Sequence, residues 1–309
     1  MNKYEKELDE LQKEFEKEVD DFNNRIQRMQ YDAQLNCDKY NTRVHGINSS
    51  RNNLILLLRK FYNLLSQHGD IGEKLTPFDF IYEDSQRIGH NGNYQVSFSN
   101  AEDETNSSSF GNLSVGLGIA AGMFVPIAIP TGFFVKYIFN RFKSKKELEQ
   151  AYTKIEDERN KMLQKTEDAR AAQSFFSTAA NIAERYHEVI KIVELAVEES
   201  IIPELSGISA FLSADAIKEA ILYDDDPDLS EQSKISDFQN TAFDNHYTFV
   251  RNSVDYYNTL CAFFTDNILT NIVDDNKITS HEKSTFFKQA KNIEHRTNLL
   301  ESETVFGGK

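Results

Sequence analysis

Apolar residues recur along the first third of the chain at Tyr4, Leu8, Leu11, Phe15, Val19, Phe22, Ile26, Met29, Ala33, Cys37, Tyr40, Val44 and Ile47. Their mean step is about 3.58 residues, between the 3.5 of a left-handed supercoil and the 3.6 of a straight helix. The pattern predicts one long amphipathic helix that continues through the apolar stretch Leu54 to Leu65, with Gly46 as a kink point, and stops at Gly69. At ~1.5 Å per residue it would reach about 90 Å, so its stripe needs a partner. A matching stripe follows at Leu148, Tyr152, Ile155, Met162, Ala169, Phe176, Ala180, Ala183 and Ile190, with Arg159, Thr166, Gln173 and His187 in the alternate slots. Polar residues in those slots weaken a dry seam but can fix register. This second helix is expected from about Phe142 to Ile202, ended by Pro203 and antiparallel to the first.

Between the two stripes the helical period fades. Tyr94, Val96 and Phe98 alternate as in a short strand at Gln95 to Ser99, and Asn100 to Asn112 is polar and Ser-rich. After Pro203 shorter helices are expected around Ala214 to Tyr223 and from Ser230, separated by the acidic turn Asp224 to Asp228. A long aromatic helix is expected near Phe238 to Ile272, and a last one from the capping box Thr279 to Glu282 to about Leu300. The fold class is therefore all-α: two long antiparallel coiled-coil helices flanking an apolar segment, plus a C-terminal helical bundle. The expected parts are residues 1–69, a polar connector 70–112, an apolar transmembrane or re-entrant segment 113–141, a return helix 142–202 and a helical domain 203–309.

Composition sharpens the middle of this picture. Five of the 13 glycines and two of the five prolines fall between Gly111 and Gly132, and residues 105–135 carry no charge. An apolar run of that length is long enough for a tilted membrane crossing. Ser114, Gly118 and Gly122 stand at intervals of four, with Gly116 among them, the small-residue spacing that lets helices approach closely in lipid. Pro126 and Pro130 break or kink the segment, and a re-entrant hairpin turning there is one alternative to a single span. Lys136, Arg141, Lys143, Lys145 and Lys146 follow as a candidate interfacial anchor on anionic lipid. A buried core helix in a soluble protein is the competing reading.

The formal charge of −15 resolves by region into acidic parts around a single segment, residues 113–146, that sums to +5. Such a surface disfavours duplex nucleic acid as a partner. Arg25, Arg28, Arg43 and Arg51, interleaved with Tyr31 and Tyr40, form a candidate site for a short single strand, against the plainer reading of a solvated or inter-subunit face. Cys37 and Cys261 each lie in an apolar pattern and read as two separate buried thiols in a reducing compartment. The first residues, MNKYEKELDELQKEFEKE, have no apolar core and do not read as a secretory signal.

Catalytic motifs are not legible. Gly116, Gly118 and Ala121 match a dinucleotide-binding spacing but lack the preceding strand and the acidic residue about 20 positions on. Gly69, Gly72 and Lys74 have the wrong spacing for a phosphate loop, and Asp274 to Glu282 lacks the glycine of a calcium loop. The seven histidines show no metal-ligand spacing, and His187 reads as a seam histidine. No catalytic residue, metal or cofactor is expected, and the chain is not expected to be an enzyme.

The order of long helix, apolar glycine- and proline-bearing insert, long return helix and helical tail resembles two groups over residues 1–202. One is the bacterial helical pore-forming toxins of the cytolysin A and haemolysin BL type. The other is the bacterial transmembrane effectors of anti-phage defence, including the Hailong type, which the resemblance implies assemble through coiled coils into channels gated by a nucleotide or oligonucleotide. The resemblance is one of architecture and transfers no residue. The expected function is an oligomeric, membrane-inserting helical protein that forms or gates an ion channel, with most of the chain on the cytoplasmic side of a bacterial inner membrane. The expected partners are lipid, further copies of the chain and a nucleotide or short single-stranded oligonucleotide. A secreted toxin subunit and a soluble coiled-coil scaffold are the alternatives.

Overall fold

A computed structural model describes residues 3–68, 75–78, 145–223, 234–265, 268–274 and 277–306. The described residues are helical with no strand: α1 (Lys3–Ser66), α2 (Lys145–Ala196), a π-helical turn (Val197–Ile201), α3 (Ile202–Tyr223), a 3-10 turn (Ile235–Phe238), α4 (Asp244–Thr265), α5 (Ile268–Asp274) and α6 (Ser280–Ser302). The all-α class is thus established. The strand expected at Gln95 to Ser99, the acidic turn after Tyr223 and the apolar segment all lie outside the described residues.

The chain divides into two compact units, and α1 and α2 contribute to both. In the first unit, residues 3–41 of α1 lie beside residues 145–180 of α2. Val19, Ile26, Ala33 and Tyr40 are buried at intervals of seven, as are Leu148, Ile155, Met162, Ala169 and Phe176 on α2. Burying an aromatic such as Phe176 contributes roughly 2–3 kcal/mol, so this stripe, rather than intrinsic propensity, holds the helices.

The direction of the pair departs from expectation. Arg159 bonds Glu18 and Gln173 bonds Asp32, so partners share a constant difference of 141. An antiparallel pair would instead conserve the sum of the two numbers. The helices therefore run parallel in this unit, and the antiparallel arrangement is corrected. The stretch of residues 67–144 is long enough to connect two parallel helices.

The second unit shows the same offset by itself: Arg43 bonds Glu184 and Asn53 bonds Glu194. Its core gathers Phe61 of α1, Tyr186 and Ile190 of α2, Tyr257 and Phe263 of α4, and Phe286 and Ile293 of α6. Tyr186 stacks on Phe263 at 5.3 Å and on Phe286 at 6.2 Å, and Arg185 on α2 reaches Glu294 on α6. The Tyr256 hydroxyl shares a 2.7 Å hydrogen bond with Thr297, joining α4 to α6 inside the core.

Three local expectations are revised and one is met. Pro203 does not end the helix. The chain widens into the π turn, whose Ile202 N–H bonds the Val197 carbonyl, and Pro203 then falls in the first turn of α3, where no N–H is required. The aromatic helix does not begin at Phe238: Asn240 adopts a left-handed conformation at φ 62°, and its N–H bonds Asp244 Oδ1 at 2.8 Å at the start of α4. α1 runs on through Gly46 and ends at Ser66, ahead of the expected stop at Gly69. The capping box of α6 forms as expected: Glu282 N–H donates to Thr279 Oγ1 and Thr279 N–H to Glu282 Oε2.

Candidate functional site

Of the expected membrane residues, Ser114, Gly116, Gly118, Gly122, Pro126, Pro130, Lys136, Arg141 and Lys143 lie outside the described residues. Lys145 and Lys146 open α2, and both are exposed; Lys145 approaches Glu149 at 4.0 Å. In the parallel register the first turn of α2 lies level with the first turns of α1. No helix among the described residues is long and apolar enough to cross a membrane.

The described residues that carry the strongest geometric signal are the polar slots of α2. Arg159 is a fork: its Nε and Nη2 donate to Glu18 Oε2 and Oε1 at 2.8 and 2.6 Å. Gln173 donates to Asp32 Oδ2 at 2.9 Å in the same unit. In the second unit Asn53 donates to Glu194 at 3.4 Å, and His187 lies over Gly46, where an added Cβ would meet its Cε1 at 2.6 Å. Each α1 partner immediately precedes a buried seam residue: Val19, Ala33, Leu54 and, after Gly46, Ile47. With the α1 partner in place these are side contacts spaced at multiples of seven residues that specify one parallel register, while Thr166 bonds the Met162 carbonyl of its own helix. Their value is in selecting register, since half-exposed pairs contribute only about 0.2–1 kcal/mol each. Burial pushes the His187 imidazole below its ordinary value, with Lys191 and Arg43 acting in the same sense. It is a seam histidine packed against a glycine notch.

Beside the Arg159–Glu18 fork the first unit holds an open groove of about 380 Å³ between α1 and α2. Phe22, Met162 and Leu163 form its apolar floor and wall, and Leu163 is 64% exposed. Arg25, Arg159 and Arg170 are balanced by Glu18, Asp21 and Glu167. Arg159 is engaged by Glu18, and Arg25 Nε donates to the Asp21 carbonyl at 3.3 Å. A charge-balanced groove offers no concentrated field for a polyanion.

The four arginines of the oligonucleotide reading are divided between the two units. Arg25 lines this groove and Arg28 is exposed on α1 in the first unit, whereas Arg43 and Arg51 belong to the second, where Arg43 is tied to Glu184 at 2.8 Å. Tyr31 is 71% exposed, but Tyr40 is buried in the seam and cannot stack on a base. Among the described residues no cluster of His, Cys, Asp or Glu is arranged to hold a metal ion. Cys37 and Cys261 are buried in different units with no disulfide between them, and burial pushes their thiols up to about 11 and about 12.

Sequence reasoning missed a second cluster, built in the second unit around His246. The ring is surrounded by Phe211, Phe238, Phe243 and Phe306 at centroid distances of 5.4, 6.3, 5.7 and 5.3 Å. Only Phe238 and Phe243 could have been grouped with it by helical spacing, because α3 and the C-terminal residues supply the rest. The chain matches no protein-family model, no curated protein and no solved structure.

Proposed function

We propose that this chain is the subunit of a helical homo-oligomer that inserts residues 113–141 into a bilayer and forms or gates an ion-conducting channel, as an effector of bacterial anti-phage defence. In this reading α1 and α2 act as a parallel coiled coil, most of the chain stays on the cytoplasmic face of the inner membrane, and a nucleotide or short oligonucleotide is the regulator. The observation that carries it is the uncharged stretch 105–135, followed directly by the Lys136 to Lys146 cluster. The exposure of Lys145 and Lys146 at the start of a long helix supports a cationic collar where that stretch meets the helix pair.

The test is dye release from anionic liposomes. The intact chain should cause leakage, deletion of residues 113–135 should abolish it, and reversal of Lys145 and Lys146 to Glu should weaken binding most on anionic vesicles. Absence of leakage in every assembly state, measured by native mass in detergent and in buffer, would overturn the reading. The second reading, a soluble coiled-coil scaffold, is supported by the heptad-spaced buried stripes of α1 and α2. Carbonate extraction separates the two, since a scaffold leaves no resistant membrane pool.

A further inference from the structure

Within the second unit the C-terminal residues return to the start of α3. Glu204, 2% exposed, accepts the Val305 N–H on Oε1 at 2.6 Å and the Phe306 N–H on Oε1 and Oε2 at 3.0 and 3.1 Å. Gly207, three positions on, leaves room for the Phe306 ring: a Cβ there would meet Phe306 Cδ2 at 2.9 Å. Asn252 on α4 donates to Glu303 Oε2 at 2.8 Å and ties down the base of the tail. The Glu204 carboxylate, the Asn252 amide and the space above Gly207 therefore hold residues 303–306.

Beneath Phe306 lies His246. The ring is 5% exposed, stacks on Phe211 and meets Phe306 edge-on, and neither of its nitrogens finds a hydrogen-bond partner. A neutral imidazole carries one N–H donor that is costly to bury unbonded, and an imidazolium carries two. Phe306, 52% exposed, and Phe243, 40% exposed, are the sides of this box that border water, and of the two only Phe306 belongs to the tail held by Glu204. Glu204 is the charged side chain whose field reaches the ring, but its oxygens already receive the tail N–H groups. Of the other charges on the surrounding elements, Asp237 accepts from Lys234 N–H, Asp244 from Asn240 N–H and Glu303 from Asn252.

We infer that residues 303–306 are a proton-released latch: when His246 gains a proton, water must reach its ring, and Phe306 lifts off Gly207 to admit it. Burial holds the imidazole below its ordinary value in the latched form, against the opposing field of Glu204. The sign follows by linkage. The unlatched ring, hydrated and near about 6.5, binds protons more readily than the latched one, so the latch is fully closed above that value and loosens as pH falls through it.

The test is amide hydrogen exchange of the full chain between pH 7.5 and 5, corrected for intrinsic rates and read at Val305 and Phe306. Protection should fall by up to ~10-fold per pH unit below about 6.5. His246→Phe preserves an aromatic ring in the box and should remove this pH dependence, leaving the latch closed. Glu204→Gln should reduce protection at every pH. Phe306→Ala alters a half-exposed side chain and should move the His246 ring titration, followed by its Cε1 proton resonance, towards the ordinary imidazole range. An identical pH profile in wild type and His246→Phe would overturn the inference, as would unchanged protection in Glu204→Gln or an unmoved ring titration in Phe306→Ala.

Discussion

Replacing Gly46 by Ala changes one methyl group and tests the parallel register directly. In an isolated helix the change is favourable by about 1 kcal/mol, because glycine has the larger backbone entropy to lose. Here the added Cβ would stand 2.6 Å from His187 Cε1 and 2.7 Å from its Nε2, closer than real Cβ contacts allow. The ring is half-buried and must swing out, a cost of about 1–3 kcal/mol for overpacking. The two effects oppose each other, so Gly46→Ala in the wild type should lie between neutral and about 2 kcal/mol destabilising. In a His187→Ala background the obstruction is gone and the same change should stabilise by about 1 kcal/mol. Urea denaturation followed by far-UV circular dichroism across the four proteins gives the coupling as a double-mutant cycle. A second readout is the His187 titration, which should rise in Gly46→Ala as the displaced ring is hydrated. If Gly46→Ala stabilises equally in both backgrounds, His187 does not sit on Gly46 and the register with offset 141 is wrong.

Three further outcomes are expected. Arg159→Ala should cost about 0.5–1 kcal/mol, diminishing as salt is raised, and Arg159→Lys should recover only part because it cannot fork onto both Glu18 oxygens; thermal melts at two ionic strengths check this. Thr279 holds the Glu282 carboxyl below its ordinary 4.5, so this contribution is present above that value and lost as pH falls through the lower folded value. Thr279→Ala should cost about 1 kcal/mol at pH 7 and less once the Glu282 carboxyl is protonated, the bond from the Glu282 N–H to the Thr279 hydroxyl remaining, measured by denaturation across the acid range. Cys37 and Cys261 should resist alkylation at pH 8 in the native protein and react fully in denaturant, because burial raises both thiols; rapid native labelling, followed by mass spectrometry, would contradict their placement.

The residues that pair across α1 and α2 show what could be read from one dimension. Stripes at 3.6-residue spacing look the same in either direction along a helix, so the series Val19 to Ile47 and Leu148 to Ile190 marked two helices but not their relative sense. A signal was present: Glu18 with Arg159, Arg43 with Glu184 and small Gly46 with bulky His187 share one offset. It becomes visible only when constant differences are weighed against constant sums. Pro203 misled because its rule concerns a regular helix interior, and the π turn before it moves it into a first turn. The His246 cluster was invisible because α3, α4 and the tail, distant in sequence, each contribute to it.

The sequence by itself determined the helical class, the existence of both long helices, the cap at Thr279 and the isolation of the two thiols. Each depends on local periodicity or on hydrogen bonds that close within one turn. Tertiary structure alone decided the parallel sense, the use of Gly46 as a notch and of Arg159 as a register pin, and the seating of Phe306 on Glu204 and Gly207 above His246. Those depend on which distant residues arrive at the same place, and excluded volume and burial act on that arrangement only once the chain has folded.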